Sequence, residues 1–189
     1  MFNTVLFWCE FPKKANWEII NKLNFKTELG IAAETEKEYN KYKSKIKNKN
    51  IKTFYWPTLS KKEGYWFSGY TKKTEINKLL KIKEKNIKID LEPPIPNVEY
   101  KNYLLFLYGL KLLFKKPENY EYLKQTIEKL NDKNLILSTL PFPKFLNKKL
   151  GIYVKPKHHK INFFIYRTLI GQPLKLIVDF YYQIFIKSK

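Results

Sequence analysis

Short apolar segments alternate with longer polar segments along most of the chain. The apolar segments are rich in β-branched, aromatic or aliphatic residues, which is typical of buried strands. They predict strands at residues 4–8, 29–33, 51–56, 86–91, 135–139 and 161–166, with a short accessory strand at 151–154. The polar segments place apolar residues at helical spacing. They predict helices at residues 17–23, 36–47, 74–83, 98–115, 117–130 and 173–187, with Asn16 as the first N-cap. Residues 63–70 are expected to form an aromatic loop or a short extra strand.

A strand followed by a helix, repeated about six times, predicts a parallel sheet whose strands are joined by helical crossovers. No Gly/Ser-rich linker divides the chain, so residues 1–189 are expected to form one α/β domain. The repeat is typical of the TIM barrel, but a complete barrel usually needs about 250 residues and at least about 200. The sequence therefore predicts an incomplete or truncated TIM-barrel-like fold, or an open sheet. Its free edge strands would allow a homo-oligomer.

The chain is strongly basic, with 37 Lys and Arg against 17 Asp and Glu and a formal net charge of +20. Such a charge gives weak, salt-sensitive attraction to polyanions. However, Arg167 is the only arginine, and dedicated nucleic-acid readers usually include arginine because its planar fork pairs with phosphate and guanine. We interpret the lysines as a solvated surface and as the imprint of an AT-rich genome. No specific nucleic-acid partner is expected.

The scarcity of cysteine and histidine restricts the kinds of site that the chain can build. Cys9 is the single cysteine, so a disulfide framework is excluded and a Cys-based metal site is not expected. His158 and His159 lie among lysines in a predicted exposed loop and cannot form a multi-histidine cage alone. No cofactor is expected.

The sequence predicts no signal peptide and no segment that spans a membrane, whereas an amphipathic membrane-surface role for residues 103–114 or 174–186 stays open. The N-terminal residues lack a basic leader and a small-residue cleavage site. The most apolar segment, residues 103–114, is interrupted by Lys111 and is too short to span a bilayer. The expected location is the cytoplasm.

Polar side chains recur where the predicted strands end, although the chain is poor in acids. Glu10 and Glu34 follow the first two strands, and Asp90 and Glu92 end the fourth. In parallel sheets and barrels, ligands bind at the carboxyl ends of the strands. We therefore expect these four carboxylates to lie together at the carboxyl edge of the sheet. The alternative is that each is simply a polar residue at the point where a strand emerges into solvent.

Asp90 and Glu92 are two residues apart, so on a strand they point to the same face. Two neighbouring carboxylates repel each other, and burial raises the pKa of at least one of them. That difference yields one proton donor and one anion. The alternative for Asp90 is a structural role, as a carboxylate bound to backbone amides or to a lysine.

The carboxylates are compatible with two kinds of hydrolysis. They could flank a glycosidic bond as acid and as nucleophile or base. They could instead chelate Mg²⁺ or Ca²⁺ for metal-dependent phosphodiester chemistry. A third hypothesis is a non-catalytic basic protein that binds nucleic acid or an anionic surface.

Aromatic residues near the same strand ends favour a sugar substrate. Trp56, Tyr65 and Trp66 lie at the end of the third strand and in the following loop, where their faces could stack on pyranose rings. The same rings could stack on bases, and core packing is the alternative for each. Arg167 could orient a carboxylate or bind an anionic substrate, and a surface salt bridge is equally compatible.

The residues Ile89-Asp90-Leu91-Glu92 resemble the end of the Asp-x-x-Asp-x-Asp-x-Glu signature of chitinase-like TIM-barrel glycosidases. The resemblance implies that Glu92 is the proton donor and that Asp90 supports it. The two earlier acidic positions of the signature are occupied by Lys85 and Lys88, so the resemblance covers this one strand. The leading expectation is a glycosidase-like TIM-barrel hydrolase acting on a carbohydrate, with Glu10 or Glu34 as the second carboxylate.

Overall fold

The computed structural model describes residues 4–94, 107–108, 111–140, 142–154 and the backbone of 160–163. Within these ranges five strands pair in one parallel sheet, and a short sixth strand extends it. The strands are β1 (Val5–Cys9), β2 (Thr27–Ala33), β3 (Ile51–Pro57), β4 (Asn86–Leu91), β5 (Asn134–Thr139) and β6 (Lys160–Phe163). The predicted α/β fold with a parallel sheet is confirmed.

The strands lie in the sheet in the same order as in the chain, from β1 to β6. Because crossovers between parallel strands are normally right-handed, this order places the connecting helices on one face of the sheet. The helices are α1 (Trp17–Asn21), α2 (Glu36–Lys43), α3 (Lys73–Ile76), α4 (Tyr120–Glu128) and α5 (Lys144–Lys149), with 3₁₀ turns at Pro12–Lys14, Lys61–Glu63 and Asn77–Lys81. The sheet curls into a half-barrel whose opposite face is concave.

The convex face of the sheet packs against the helices in two hydrophobic clusters. The first joins β2 and β3 to α2, through Leu29, Ile31, Tyr39, Tyr42, Ile51 and Tyr55. The second joins β4 and β5 to α3 and α4, through Ile76, Ile87, Ile89, Leu123, Ile127, Leu135 and Leu137. On each strand these residues are two or four apart and so share one face. The residues at the alternate positions point into the concave face, here called the hollow.

The loop after β3 enters the sheet between β3 and β4. These two strands pair where Tyr55 lies beside Ile87. Farther along, the Phe67 N–H donates to the Asp90 carbonyl at 3.3 Å, and the Phe67 carbonyl accepts from the Glu92 N–H at 3.2 Å. The predicted aromatic loop therefore contributes a one-residue bridge, and it is fixed at the carboxyl edge of β4.

The strands described by the structure begin and end close to the predicted positions, but two other predictions differ from it. Residues 151–154 are not a strand; they are irregular and fixed by hydrogen bonds such as that from the Gly69 N–H to the Gly151 carbonyl. Helix α5 was not predicted. The predicted helix at 98–115 is helical at 107–108 and 111–114 and has ended at Lys115. Its residues 98–106 and 109–110, like those of the predicted helix at 173–187, lie outside the described ranges.

Candidate functional site

The four predicted carboxylates all lie at the carboxyl edge of the sheet, with different exposure. Glu10 follows β1 and is half-buried, whereas Glu34 follows β2 and is exposed. Asp90 lies on β4 with 1% of its surface exposed, and Glu92 directly follows β4 with 8% exposed. Asp90 and Glu92 alternate with residues of the convex core, so both belong to the hollow.

Asp90 forms a buried ion pair with a residue that the sequence did not single out. The Lys88 Nζ lies 2.5 Å from Oδ1 of Asp90, and both side chains are almost fully buried. Lys88 precedes Asp90 by two residues on β4 and therefore points into the same hollow. Of the two readings of Asp90, the carboxylate bound to a lysine is the one that the structure contains.

Two indole rings enclose the Lys88 ammonium. Its Nζ lies 3.9 Å from the ring centroid of Trp8 on β1 and 3.3 Å from that of Trp56 on β3. The negative face of an indole attracts a cation, most strongly where water is excluded. Gly30 on β2 makes room for this arrangement, because a Cβ there would lie 2.5 Å from the Trp8 ring.

Burial moves the two pKa values of the pair toward each other. Loss of solvation raises the pKa of Asp90 to about 6, although the charge of Lys88 and the hydroxyl of Ser138 lower it. Loss of solvation lowers the pKa of Lys88 to about 8, against the opposing effect of nearby carboxylates. Those carboxylates are Asp90, Glu92 and Glu10, so three predicted site residues act on one ammonium.

The Tyr65 hydroxyl interacts with several of the predicted carboxylates. Its hydroxyl donates a hydrogen bond to Glu10, and its backbone has a positive φ of 64°, which is uncommon for a residue with a side chain. Burial raises the pKa of the Tyr65 hydroxyl, and the charges of Glu10, Asp90 and Glu34 raise it further. The hydroxyl therefore stays protonated, and three carboxylates surround it.

Trp56 and Trp66 stack on each other, with ring centroids 5.5 Å apart and planes within 4°. Both indoles are buried. Tyr65 packs edge-on against Trp66 at 4.3 Å and is only half-buried. Of the three rings expected to form a sugar platform, Tyr65 is thus the one with exposed surface, and the two indoles support it.

A pocket of about 240 Å³ opens beside Tyr65. Glu10, Glu34 and Tyr65 line it, together with Lys13, Lys14 and residues of the β2 end. The volume is somewhat below the usual range for ligand pockets, about 300–1,000 Å³. Asp90 and Glu92 do not line this pocket.

Three other predictions concern Arg167 and the two histidines, a metal site and a membrane-spanning segment. Arg167, His158 and His159 lie outside the described residues. Among the residues that are described, no group of three or more His, Cys, Asp or Glu side chains is arranged to hold a metal ion. No helix in the same ranges is long and apolar enough to cross a membrane.

Sequence reasoning found the carboxylates but missed Lys88 and Gly30. A signal for Lys88 existed: it lies two residues before Asp90, between Ile87 and Ile89, at a position that must face the hollow. The resemblance to chitinase-like glycosidases stays a prediction carried by Asp90 and Glu92. Comparison of the chain with protein-family models, curated proteins and solved structures finds no match.

Proposed function

We propose that this protein is a glycoside hydrolase whose site is the carboxyl edge of a TIM-barrel-like sheet. The observation that carries the proposal is that the charges of Glu10, Asp90 and Glu92 all act on the buried Lys88 ammonium. Glu10 follows β1, whereas Asp90 ends β4 with Glu92 directly after it. The sequential strand order supports the barrel-like part, because a (β/α) barrel has that order whereas doubly wound sheets reverse direction.

The environments of the carboxylates suggest different roles. Glu10 is assigned as the nucleophile or base, because it accepts a hydrogen bond from Tyr65 at the pocket that this ring lines. Glu92 is assigned as the proton donor to the glycosidic oxygen, because it is nearly buried at the same edge. Lys88 and Asp90 precede Glu92 at alternate positions of the same chain segment, and Lys88 interacts electrostatically with the Glu92 carboxylate. Tyr65 supplies the surface on which a sugar ring would stack.

Conservative replacement of each carboxylate tests the proposal. The full chain and its Glu92→Gln and Glu10→Gln variants are assayed on a panel of aryl glycosides and oligosaccharides. We expect each replacement to lower kcat by at least about 100-fold, because it removes general acid or nucleophilic catalysis. Glu28→Gln is the matched control, since Glu28 lies on β2 and not at the carboxyl edge, and it should retain turnover.

Two results would reject the assignment. Unchanged turnover in Glu92→Gln, with circular dichroism that shows an intact fold, removes Glu92 from the mechanism. Absence of glycosidic cleavage across the panel by the parent chain removes the hydrolase proposal itself. If cleavage occurs, NMR of the first-formed anomer distinguishes a retaining from an inverting pair.

A further inference from the structure

Two exposed phenyl rings and several lysines form a surface patch, here called the basic-aromatic patch. It comprises Leu113, Phe114, Lys115, Lys116, Phe145, Lys148 and Lys149. Phe145, Lys148 and Lys149 lie three and four residues apart on α5, so they share one face of that helix. A pocket of about 370 Å³ lies between residues 113–117 and α5.

The phenyl rings in the patch are unusually exposed. Phe114 has 91% of its surface exposed, and Phe145 has 69%. A single exposed apolar residue needs no explanation. Here Phe114 lines the pocket, and Phe145 shares a helix face with Lys148 and Lys149, which also line it. Large apolar side chains grouped on one surface indicate an interaction site. Covering each ring would remove apolar area from water, which stabilises a bound state.

The charged residues that line this pocket are lysines. They are Lys115, Lys116, Lys148 and Lys149, and among the described residues no carboxylate lines the pocket with them. Lys111 and Lys144 are also exposed, on the helical residues 111–114 and on α5. The combination of apolar rings with a lysine-only border complements a surface that is anionic outside and apolar beneath.

Hydrogen bonds hold the two halves of the patch together. The Tyr70 hydroxyl lies 2.7 Å from the Leu112 carbonyl, 3.0 Å from that of Lys115 and 3.3 Å from that of Lys149. Gly69 also bonds to both sides, since its N–H donates to Gly151 and its carbonyl accepts from Asn119. The patch is therefore tied to the loop after β3, at the carboxyl edge where the hollow opens.

We propose that the basic-aromatic patch docks the protein on an anionic lipid surface, with the lysines at the lipid phosphates and Phe114 and Phe145 inserted among the acyl chains. Nucleic acid is less suited to this patch, because the described residues contain no arginine to grip phosphates with a fork. Docking would turn the carboxyl edge of the sheet toward the membrane surface. The proposal does not depend on the hydrolase assignment.

Co-sedimentation of the full chain with vesicles tests the lipid surface. Vesicles of phosphatidylcholine alone are compared with vesicles that also contain phosphatidylglycerol, in about 0.1 M salt. We expect binding to the anionic vesicles only. Lys148→Glu with Lys149→Glu should weaken it at least about 30-fold, because each lysine near an anionic surface contributes about a fivefold gain in binding.

The matched control changes the net charge equally at another place. Lys37→Glu with Lys41→Glu replaces two exposed lysines four residues apart on α2, and it should weaken binding by less than about threefold. Equal losses in the two double variants would overturn the proposal, because they would mean that net charge and not the patch binds the vesicles. Binding that both variants retain would overturn it as well.

Insertion of the rings is measured separately from charge. A Phe114→Trp variant reports its surroundings by fluorescence, and we expect a blue shift and quenching by brominated acyl chains, above the signal of the parent chain. The same variant is titrated with a single-stranded oligothymidylate as the nucleic-acid arm. No insertion into anionic vesicles, or tighter binding to the oligonucleotide that depends on Lys148 and Lys149, would overturn the lipid assignment.

Discussion

Lys88 is buried although lysine is normally one of the most exposed residue types. A buried ammonium is tolerated only where partners replace the lost water. Here Asp90 supplies the opposite charge, and the rings of Trp8 and Trp56 enclose the ammonium. Lys88 also offsets the repulsion among the carboxylates around it. It is therefore a positioning residue of the candidate site.

Removing Lys88 should leave Asp90 buried without a counter-charge. We expect Lys88→Met to lower the free energy of unfolding by about 3–5 kcal/mol at neutral pH. Combining it with Asp90→Leu should restore most of that loss, because both charges are then gone. Urea unfolding measures the free energy of unfolding of the single and the double variant. Lys52→Met on β3 is the control, since Lys52 is exposed and its replacement should change stability by less than about 0.5 kcal/mol. Equal effects of Lys88→Met and Lys52→Met would contradict a buried pair.

The pH dependence of stability should carry the signature of this pair. The pKa of Asp90 is raised from 3.8 to about 6, so between these values the folded state binds more protons and stability falls as pH rises. The pKa of Lys88 is lowered from 10.5 to about 8, so between these values the unfolded state binds more protons and stability rises with pH. The contribution of Lys88 and Asp90 to folding stability is therefore lowest between about pH 6 and 8, where both groups are ionised in the folded state.

Replacement of both residues isolates that contribution from all other groups. We expect the stability of Lys88→Met with Asp90→Leu, relative to the parent chain, to be highest near neutral pH and to decrease in acid and in base. Urea unfolding at several pH values measures the difference. A difference that does not vary with pH would show that the pair titrates as it does in the unfolded chain.

Some residues of the site could be predicted because their position at the end of a strand indicated their role. Glu10, Asp90 and Glu92 were identified because carboxylates are scarce and these follow or end apolar strands. Lys88 was not, because it is one of many lysines and sequence alone gives no partner for it. The enclosure of its ammonium by Trp8 and Trp56 depends on how far the sheet curls, and on Gly30 leaving room for an indole.

Strands were easier to predict than helix boundaries. Continuous apolar segments buried on both faces make β2 to β5 evident from the sequence. Helix α5 was missed because it is short, lysine-rich and begins after a proline at Pro143. Residues 151–154 look like a strand in sequence, but their hydrogen bonds go to the Gly69 loop and to the end of α5.

Tyr70 should determine how firmly the segment 111–117 is held to α5. We expect Tyr70→Phe to cost about 1 kcal/mol, because one hydroxyl hydrogen bond is lost. Amide exchange in 111–117 should become faster. Tyr120→Phe is the control, since its hydroxyl donates to the Tyr153 carbonyl at 2.7 Å instead. Faster exchange in both variants would mean that the segment responds to general destabilisation and not to Tyr70.

At the scale of the whole molecule, strand order decides the architecture. Alternating strand and helix patterns predicted a parallel sheet but could not choose between a barrel and a doubly wound sheet, since both have the same pattern. The sequential order places β1 at one end of the sheet, and in the described part of the chain β1 pairs with β2 alone. Its other edge then presents backbone groups that could pair with another chain.

The exposed apolar side chains on the edge strand β1 predict that the chain associates with itself. Val5 and Phe7 are partly exposed, and the Phe7 ring lies 6.3 Å from the ring of exposed Phe25. We expect the sedimentation coefficient of the parent chain to rise with concentration, and Phe7→Lys to abolish the rise, because a charge on an edge strand opposes pairing. Ile19→Lys adds the same charge at an exposed position on α1 and should leave association unchanged. A parent chain that stays monomeric at all concentrations would show that this edge does not pair between molecules.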